Sequence, residues 1–179
     1  VSGSCPGVLD GLPRASLAPA RVHGDDGLLE NAGASIVLSQ WPDRLAVPVG
    51  MVSQGYQLVP HRALVEHLLG VLARQGIETR DAKMEASLTP RGERFLGRLV
   101  VPDPGYQFAP DGLACWLTVF FRNAIDGRGG LDVELGWLRL VCTNGLIHRD
   151  NVARYRSTHR PGLDLGDLED LVSNELKEL

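Results

Sequence analysis

The sequence predicts an α+β fold: a curved antiparallel sheet built from hairpins, with one central helix and a C-terminal helix packed on it. Three observations predict it. Residues 117–122 (LTVFFR) and 133–142 (VELGWLRLVC) are rich in β-branched, aromatic and leucine side chains. Between them Asp126-Gly127 and Gly129-Gly130 supply the positive-φ positions that a reversal needs. Residues 61–75 place Leu64, Val65, Leu68, Leu69 and Leu72 at helical spacing, and Gly76 follows as a stop. Near the end of the chain Leu165, Leu168, Leu171, Val172 and Leu176 form a narrow apolar stripe with acids outside it.

The elements follow in order. Residues 1–34 are rich in Gly, Pro and Ala with weak patterning, and are expected as a loosely structured N-terminal arm. A single α+β domain is expected over 35–179. Residues 35–38 and 45–48 fit short strands around Trp41-Pro42-Asp43, and 56–59 fits another. Pro60 opens the central helix at a first-turn position, where its missing N–H costs nothing. Residues 78–89 and 94–101 form a second hairpin about Pro90-Arg91-Gly92-Glu93, and 102–112 is a proline-bearing loop. The long hairpin leads into Asn144-Gly145, a further turn signal, and helix is expected from Asn151 onward.

A chain of 179 residues suits one domain with a proper core. With 44% hydrophobic and 22% charged residues the composition is ordinary. The net charge of −4 is a poor match for a polyanion, but it is unevenly spread. From Arg139 to Arg160, five arginines stand against Asp150 alone; from Pro161 to Leu179, six acids stand against Lys177. Such a pairing hides a basic face from a net-charge count. Cys5, Cys115 and Cys142 form no CxxC, which fits a reducing, cytoplasmic setting. No apolar run reaches the roughly 20 residues that span a bilayer, so no membrane partner is expected. Val1 at one end and NELKEL at the other leave open that the natural chain extends past both.

Asn123, Asp126, Gly127 and then Arg139-Leu140-Val141-Cys142-Thr143-Asn144-Gly145-Leu146 resemble the paired signature of the phage- and plasmid-related family called domain of unknown function 932. Its members typically show an S-x-D-G-S turn and an R-(V/L)-V-C-x-N-x-L strand end. Tyr56-Gln57-Leu58-Val59-Pro60-His61 and Arg156-Ser157-Thr158-His159 are similar to weaker family features, so the resemblance covers roughly residues 50–160. Ala124-Ile125 and Arg128 depart from it, standing where Ser-His and Ser are usual. The order helix, hairpin, long hairpin, helix also resembles the core of single-strand annealing proteins, a fold-level likeness that implies ring-forming homo-oligomers and a basic DNA groove.

Catalytic chemistry finds little support. His61 and His67 lie six residues apart on the helix and point to different faces, while His148 and His159 read as surface histidines beside arginines. No metal, cofactor or catalytic residue is expected. Asp132 and Glu134 share a strand face with no acid opposite, and Asp126 reads as a turn residue capping its own loop. Gly127-Arg128-Gly129-Gly130 lacks the following helix of a phosphate loop. Basic and aromatic residues point further. Phe120, Phe121, Arg122, Arg128, Trp137 and Arg139 mix stacking and cationic character on one hairpin, as proteins that hold single strands do; for Phe120 and Trp137 a core role is the stronger expectation. If residues 149–160 are helical, Arg149, Arg156 and Arg160 share a face, with Arg154 to the side.

The expected nucleic-acid-binding set is therefore Arg122, Arg128, Arg139, Arg149, Arg154, Arg156 and Arg160. The partner is single-stranded DNA or another nucleic acid, bound without a cofactor by a homo-oligomer of a mobile element. The competing account pairs Arg149, Arg154, Arg156 and Arg160 with Asp164, Asp167, Glu169 and Asp170 as an internal brace. A second function class, a protein-interaction or assembly module, rests on the C-terminal leucine stripe, which Leu179 extends.

Overall fold

A computed structural model describes residues 2–25, 27–101, 115–140 and 147–177. The chain opens with β1 (Ser2–Ser4) and the short α1 (Cys5–Asp10), then β2 (Arg14–Gly24), β3 (Gly27–Gln40) and β4 (Val47–Ser53). After α2 (His61–Arg74) come β5 (Lys83–Leu88), β6 (Arg94–Val101), β7 (Cys115–Ala124), β8 (Gly130–Leu140) and β9 (Ile147–Thr158), and α3 (Gly166–Lys177) follows. The strands form two antiparallel sheets, one of order β1-β5-β6-β7-β8-β9 and one of order β2-β3-β4. From β5 to β9 each strand pairs antiparallel with the next in sequence. The fold is α+β, as the pattern of hairpins and two amphipathic helices predicts.

Alternation sorts the large sheet into two faces. Met84, Phe95, Leu99, Val119, Phe121, Val133, Leu135 and Ala153 turn inward and are buried. Onto them pack Leu64, Val65, Leu68, Val71 and Leu72 of α2, and Leu168 and Val172 of α3. The close fit is visible at Gly97, where an added Cβ would collide with the Phe121 ring. Leu64, Val65, Leu68 and Leu72 are among the residues whose spacing predicts the helix, while Leu69 is only partly buried and Val71 takes a core position; Gly76 follows at φ 78°. The C-terminal stripe, a candidate partner surface in the sequence, is thus used internally at Leu168 and Val172. Arg74 adds a two-pronged ion pair to Glu169, tying α2 to α3 at 2.6 and 2.7 Å.

Two expectations are corrected. Residues 2–34 are not a loose arm: β2 and β3 pair along their length, with a register shift between Pro19 and Ala20. This hairpin is largely exposed, with Val22, Leu28 and Leu29 open to solvent. A ribbon with few buried positions carries no strong apolar alternation, so composition alone misreads it. Residues 147–158 are strand rather than helix, registered on β8 with a shift between Leu135 and Gly136. That shift breaks the period-two spacing in the sequence, and the remaining arginine spacing imitates a helix face. The 102–112 loop and the Asn144-Gly145 turn lie outside the described residues.

The small sheet seats on the β7–β8 turn. Val37 and Val52 enclose Ile125, and a Cβ at Gly50 would press into the Asp126 backbone at 2.5 Å. Gly127 sits at φ 77° with Val52 beside it, so the turn needs glycine both for its conformation and for the close approach.

Candidate nucleic-acid interface

The opposite face of the large sheet bears charge. Counting outward from the β7–β8 turn pairs Arg122 with Asp132 and Phe120 with Glu134, and β9 sets Arg156 beside Asp132 and Arg154 beside Glu134. Residues directly across neighbouring strands stand close enough for side chains to meet. Three guanidinium groups converge on the Asp132 carboxylate. Arg122 donates to its Oδ2; Arg154 donates to Oδ1 at 3.1 Å and Oδ2 at 2.7 Å; Arg156 donates to Oδ2 at 3.1 Å. Arg154 also reaches Glu134 at 3.4 Å.

Asp132 is 8% exposed, while the Arg122, Arg154 and Arg156 side chains remain 58%, 48% and 64% exposed. The Arg154 hydrogen bonds hold the Asp132 carboxyl far below the usual carboxylate range; burial opposes this, and bonds from Arg122 and Arg156 reinforce it. The same bonds raise the Arg154 guanidinium. Each guanidinium has five N–H donors and spends only one or two on Asp132. Asp132 therefore aims three cations, and with Glu134 against Arg154 two carboxylates face three guanidinium groups. The cluster keeps excess positive charge, with unused donors toward solvent. Further along this face Arg98 pairs with Glu85 at 2.8 Å, and Leu96 is exposed beside it.

A cavity of about 640 Å³ opens where this face meets the β7–β8 turn, with Arg122, Arg128, Arg156 and Asp132 in its wall. Asp126 caps that turn as expected, accepting the Arg128 backbone N–H at 2.9 Å. It also holds Arg94 at 3.0 and 3.1 Å.

Asn123, one residue beyond Arg122, points the other way into a buried polar network. Its amide nitrogen donates to the Val59 carbonyl at 2.8 Å and to His61 Nδ1 at 3.0 Å. Its oxygen accepts from His159 Nε2 at 2.9 Å. His61 Nε2 faces the Gly92 carbonyl at 2.9 Å, which can only accept, so that nitrogen carries the proton and Nδ1 is free to accept from Asn123. Burial pushes His61 down to about 4 and also lowers His159. His159 Nδ1 faces the Gln57 carbonyl at 3.0 Å, and Tyr56 stacks on its ring at 5.1 Å. The Tyr56 hydroxyl is raised, first by burial and then by Asp126. His159 is thus interior, not the surface histidine its basic surroundings imply.

Of the seven arginines singled out in the sequence, the structure gathers Arg122, Arg154 and Arg156 on Asp132 and sets the exposed Arg128 at the cavity. Arg160 lies past the end of β9, outside that cluster. The shared helical face of Arg149, Arg156 and Arg160 does not exist, because the segment is a strand. Arg139 and Arg149 stand on β8 and β9, and their side chains lie outside the described residues. The expected brace between arginines and the C-terminal acids is also corrected for Arg154 and Arg156, whose carboxylate is Asp132. In the sequence Asp132 is one of two acids on a strand face with no acid opposite; register counted from Asp126-Gly127 sets it opposite Arg122. Among the described residues no group of three metal-ligating side chains occurs. No helix among them is long and apolar enough to cross a membrane.

The signature residues Tyr56, Gln57, Val59, His61, Asn123, Asp126 and His159, distant in sequence, meet in this network and the turn beside it. No curated protein and no solved structure matches the chain. The model of one family, described as a domain of unknown function (DUF932), matches residues 48–164, a span that holds the network, the turn and the Asp132 cluster. The chain belongs to the DUF932 family.

Proposed function

We propose that the arginine-bearing face of the large sheet binds single-stranded nucleic acid. The observation that carries this is the Asp132 cluster: three guanidinium groups held in fixed positions by one carboxylate, with donors left over. Guanidinium forks match phosphate oxygens in pairs, and groups already held in place lose little freedom when a phosphate arrives. Buried ion pairs need no such surplus. A brace would match cations to carboxylates, whereas here the excess faces solvent. On the same face the half-buried Phe120 ring and the exposed Leu96 lie among these cations, one aromatic and one apolar contact for bases.

The reading extends to a cytoplasmic protein of a phage or plasmid that binds or anneals single strands in recombination. It would act as a homo-oligomer and without catalytic chemistry of its own. The test is a titration of a fluorescent single-stranded oligonucleotide at several salt concentrations. Contacts from three arginines give a slope of log K against log salt of about −2, since each phosphate neutralised on a single strand contributes about −0.7. Absence of binding at low salt overturns the proposal.

A further inference from the structure

The cavity beside the Asp132 cluster differs from the rest of that face. Its volume of about 640 Å³ falls inside the roughly 300–1,000 Å³ of small-molecule clefts, far more than a phosphate contact requires. Its wall has two chemistries. Arg94, Arg122, Arg128 and Arg156 supply cations, and Leu96, Ala124 and the glycines of the turn supply apolar surface. The space exists because the turn is built from small residues. Gly129 and Gly130 add no side chains to the wall, and neither position admits one: a Cβ at Gly129 would meet Ala124 Cβ and one at Gly130 the Ser157 carbonyl. Asp132 also lies in the wall, but its charge is already engaged by three guanidinium groups, so the wall remains cationic toward a ligand.

A ligand fitting both sides joins a flat, largely apolar body to an anionic group. We infer that the cavity is a nucleotide pocket, taking one nucleotide of a single strand with its phosphate on Arg122 and Arg156 and its base against Leu96 and Ala124. This rests on the reading of the arginine face as a nucleic-acid platform. It adds that the platform has a fixed point where one base leaves the stack. Unstacking is least costly in a single strand, which gives the pocket a preference for single over double strands.

The test uses the full chain and three probes in calorimetric titration: deoxycytidine monophosphate, deoxycytidine and inorganic phosphate. The nucleotide is expected to bind at least about tenfold tighter than either part alone, because it alone engages both walls. Two separate variants fill the space without removing an arginine: Ala124→Leu, half-buried on β7, and Thr158→Leu, exposed at the end of β9. A filled variant that melts like the parent is expected to lose nucleotide binding about tenfold while keeping the salt slope for a long oligonucleotide, since its phosphate contacts are intact. Phosphate binding as tightly as the nucleotide, or nucleotide binding unchanged in both filled variants, overturns the pocket. If the parent fails to bind oligonucleotide at low salt, the platform itself is overturned; if it binds while the probes behave alike, only the pocket falls.

Discussion

Arg122 and Asn123 are adjacent on β7, point to opposite faces of the same sheet, and head two polar clusters built on opposite terms. The Asn123 cluster is buried and closed around Asn123 itself. Both amide hydrogens and the amide oxygen have buried partners, and His61 carries its proton on the nitrogen that the Gly92 carbonyl requires. The Asp132 cluster is charged and open, with three cations on one carboxylate and about half or more of each arginine side chain in contact with solvent (48% for Arg154, 58% and 64% for Arg122 and Arg156). A closed network holds a fold, because any change strands a buried polar group. An open one holds little, because exposed ion pairs are worth little, and its unused donors are free for a ligand. The comparison predicts stability effects on the inner face and binding effects on the outer one.

The largest effect is expected for Asn123→Leu. It removes three buried hydrogen bonds and leaves the Val59 carbonyl and two histidine nitrogens without partners. At about 1–3 kcal/mol for each stranded group, and with some relaxation, a loss of about 4 kcal/mol in unfolding free energy follows. Chemical denaturation measures it. A loss under about 1 kcal/mol would mean that the network is not what joins the 56–61 segment to the sheet.

Next comes the pH dependence of that network. Burial lowers His61 to about 4, against an ordinary value near 6.5 in the unfolded chain. Between those values the unfolded chain binds the proton and the folded chain does not. Stability is therefore full above pH 6.5 and falls as pH drops toward 4, by roughly 3 kcal/mol from this residue. Denaturant midpoints across that window, compared between the parent and His61→Gln, isolate the contribution. A parallel pH profile in the two proteins would assign the loss to other groups.

How much of this was legible in the sequence follows from where each pattern's partner lies. The α2 helix and the β5–β6 and β7–β8 hairpins are local: leucine spacing, glycine stops and turn residues state them within a few positions. β9 and the β2–β3 ribbon are not. Each takes its place from a partner strand and carries little apolar alternation of its own. The arginines followed suit, since Arg154 and Arg156 were visible as a basic run while their common carboxylate lay more than twenty residues earlier. The histidine network was least visible. Nothing near His159 in sequence shows that Asn123 and the Gln57 carbonyl enclose it.

Asp132→Asn tests the outer cluster with a smaller effect on stability. The amide still fits, and the arginines it releases are exposed, so the loss should be about 1–2 kcal/mol. Binding should respond differently. Removing a negative charge among three cations strengthens the field, but the guanidinium groups are no longer held in place. A steeper salt dependence at unchanged or weaker affinity in low salt is the expected signature of lost positioning. Tighter binding at every salt would mean that charge alone matters and that the fixed geometry adds nothing.

The smallest effect on stability, and the sharpest division between the faces, belongs to single arginines. Arg74 and Arg156 each pair with a carboxylate, at 2.6 and 3.1 Å, and both are more than half exposed. Either change to Ala should leave the denaturation midpoint close to the parent's. They differ in what the arginine faces. Arg74 shares Glu169 with no other cation in its pair and sits on the helix side, so its removal breaks a one-to-one tie between α2 and α3. Arg156 is one of three on Asp132, so its removal leaves that carboxylate satisfied and takes away part of the surplus. Arg156→Ala should therefore lower the salt slope for a single-stranded oligonucleotide by about 0.7, one phosphate, while Arg74→Ala leaves it unchanged. Equal slopes in the two variants would remove the distinction between the faces, because a net-charge effect alone treats the two arginines alike.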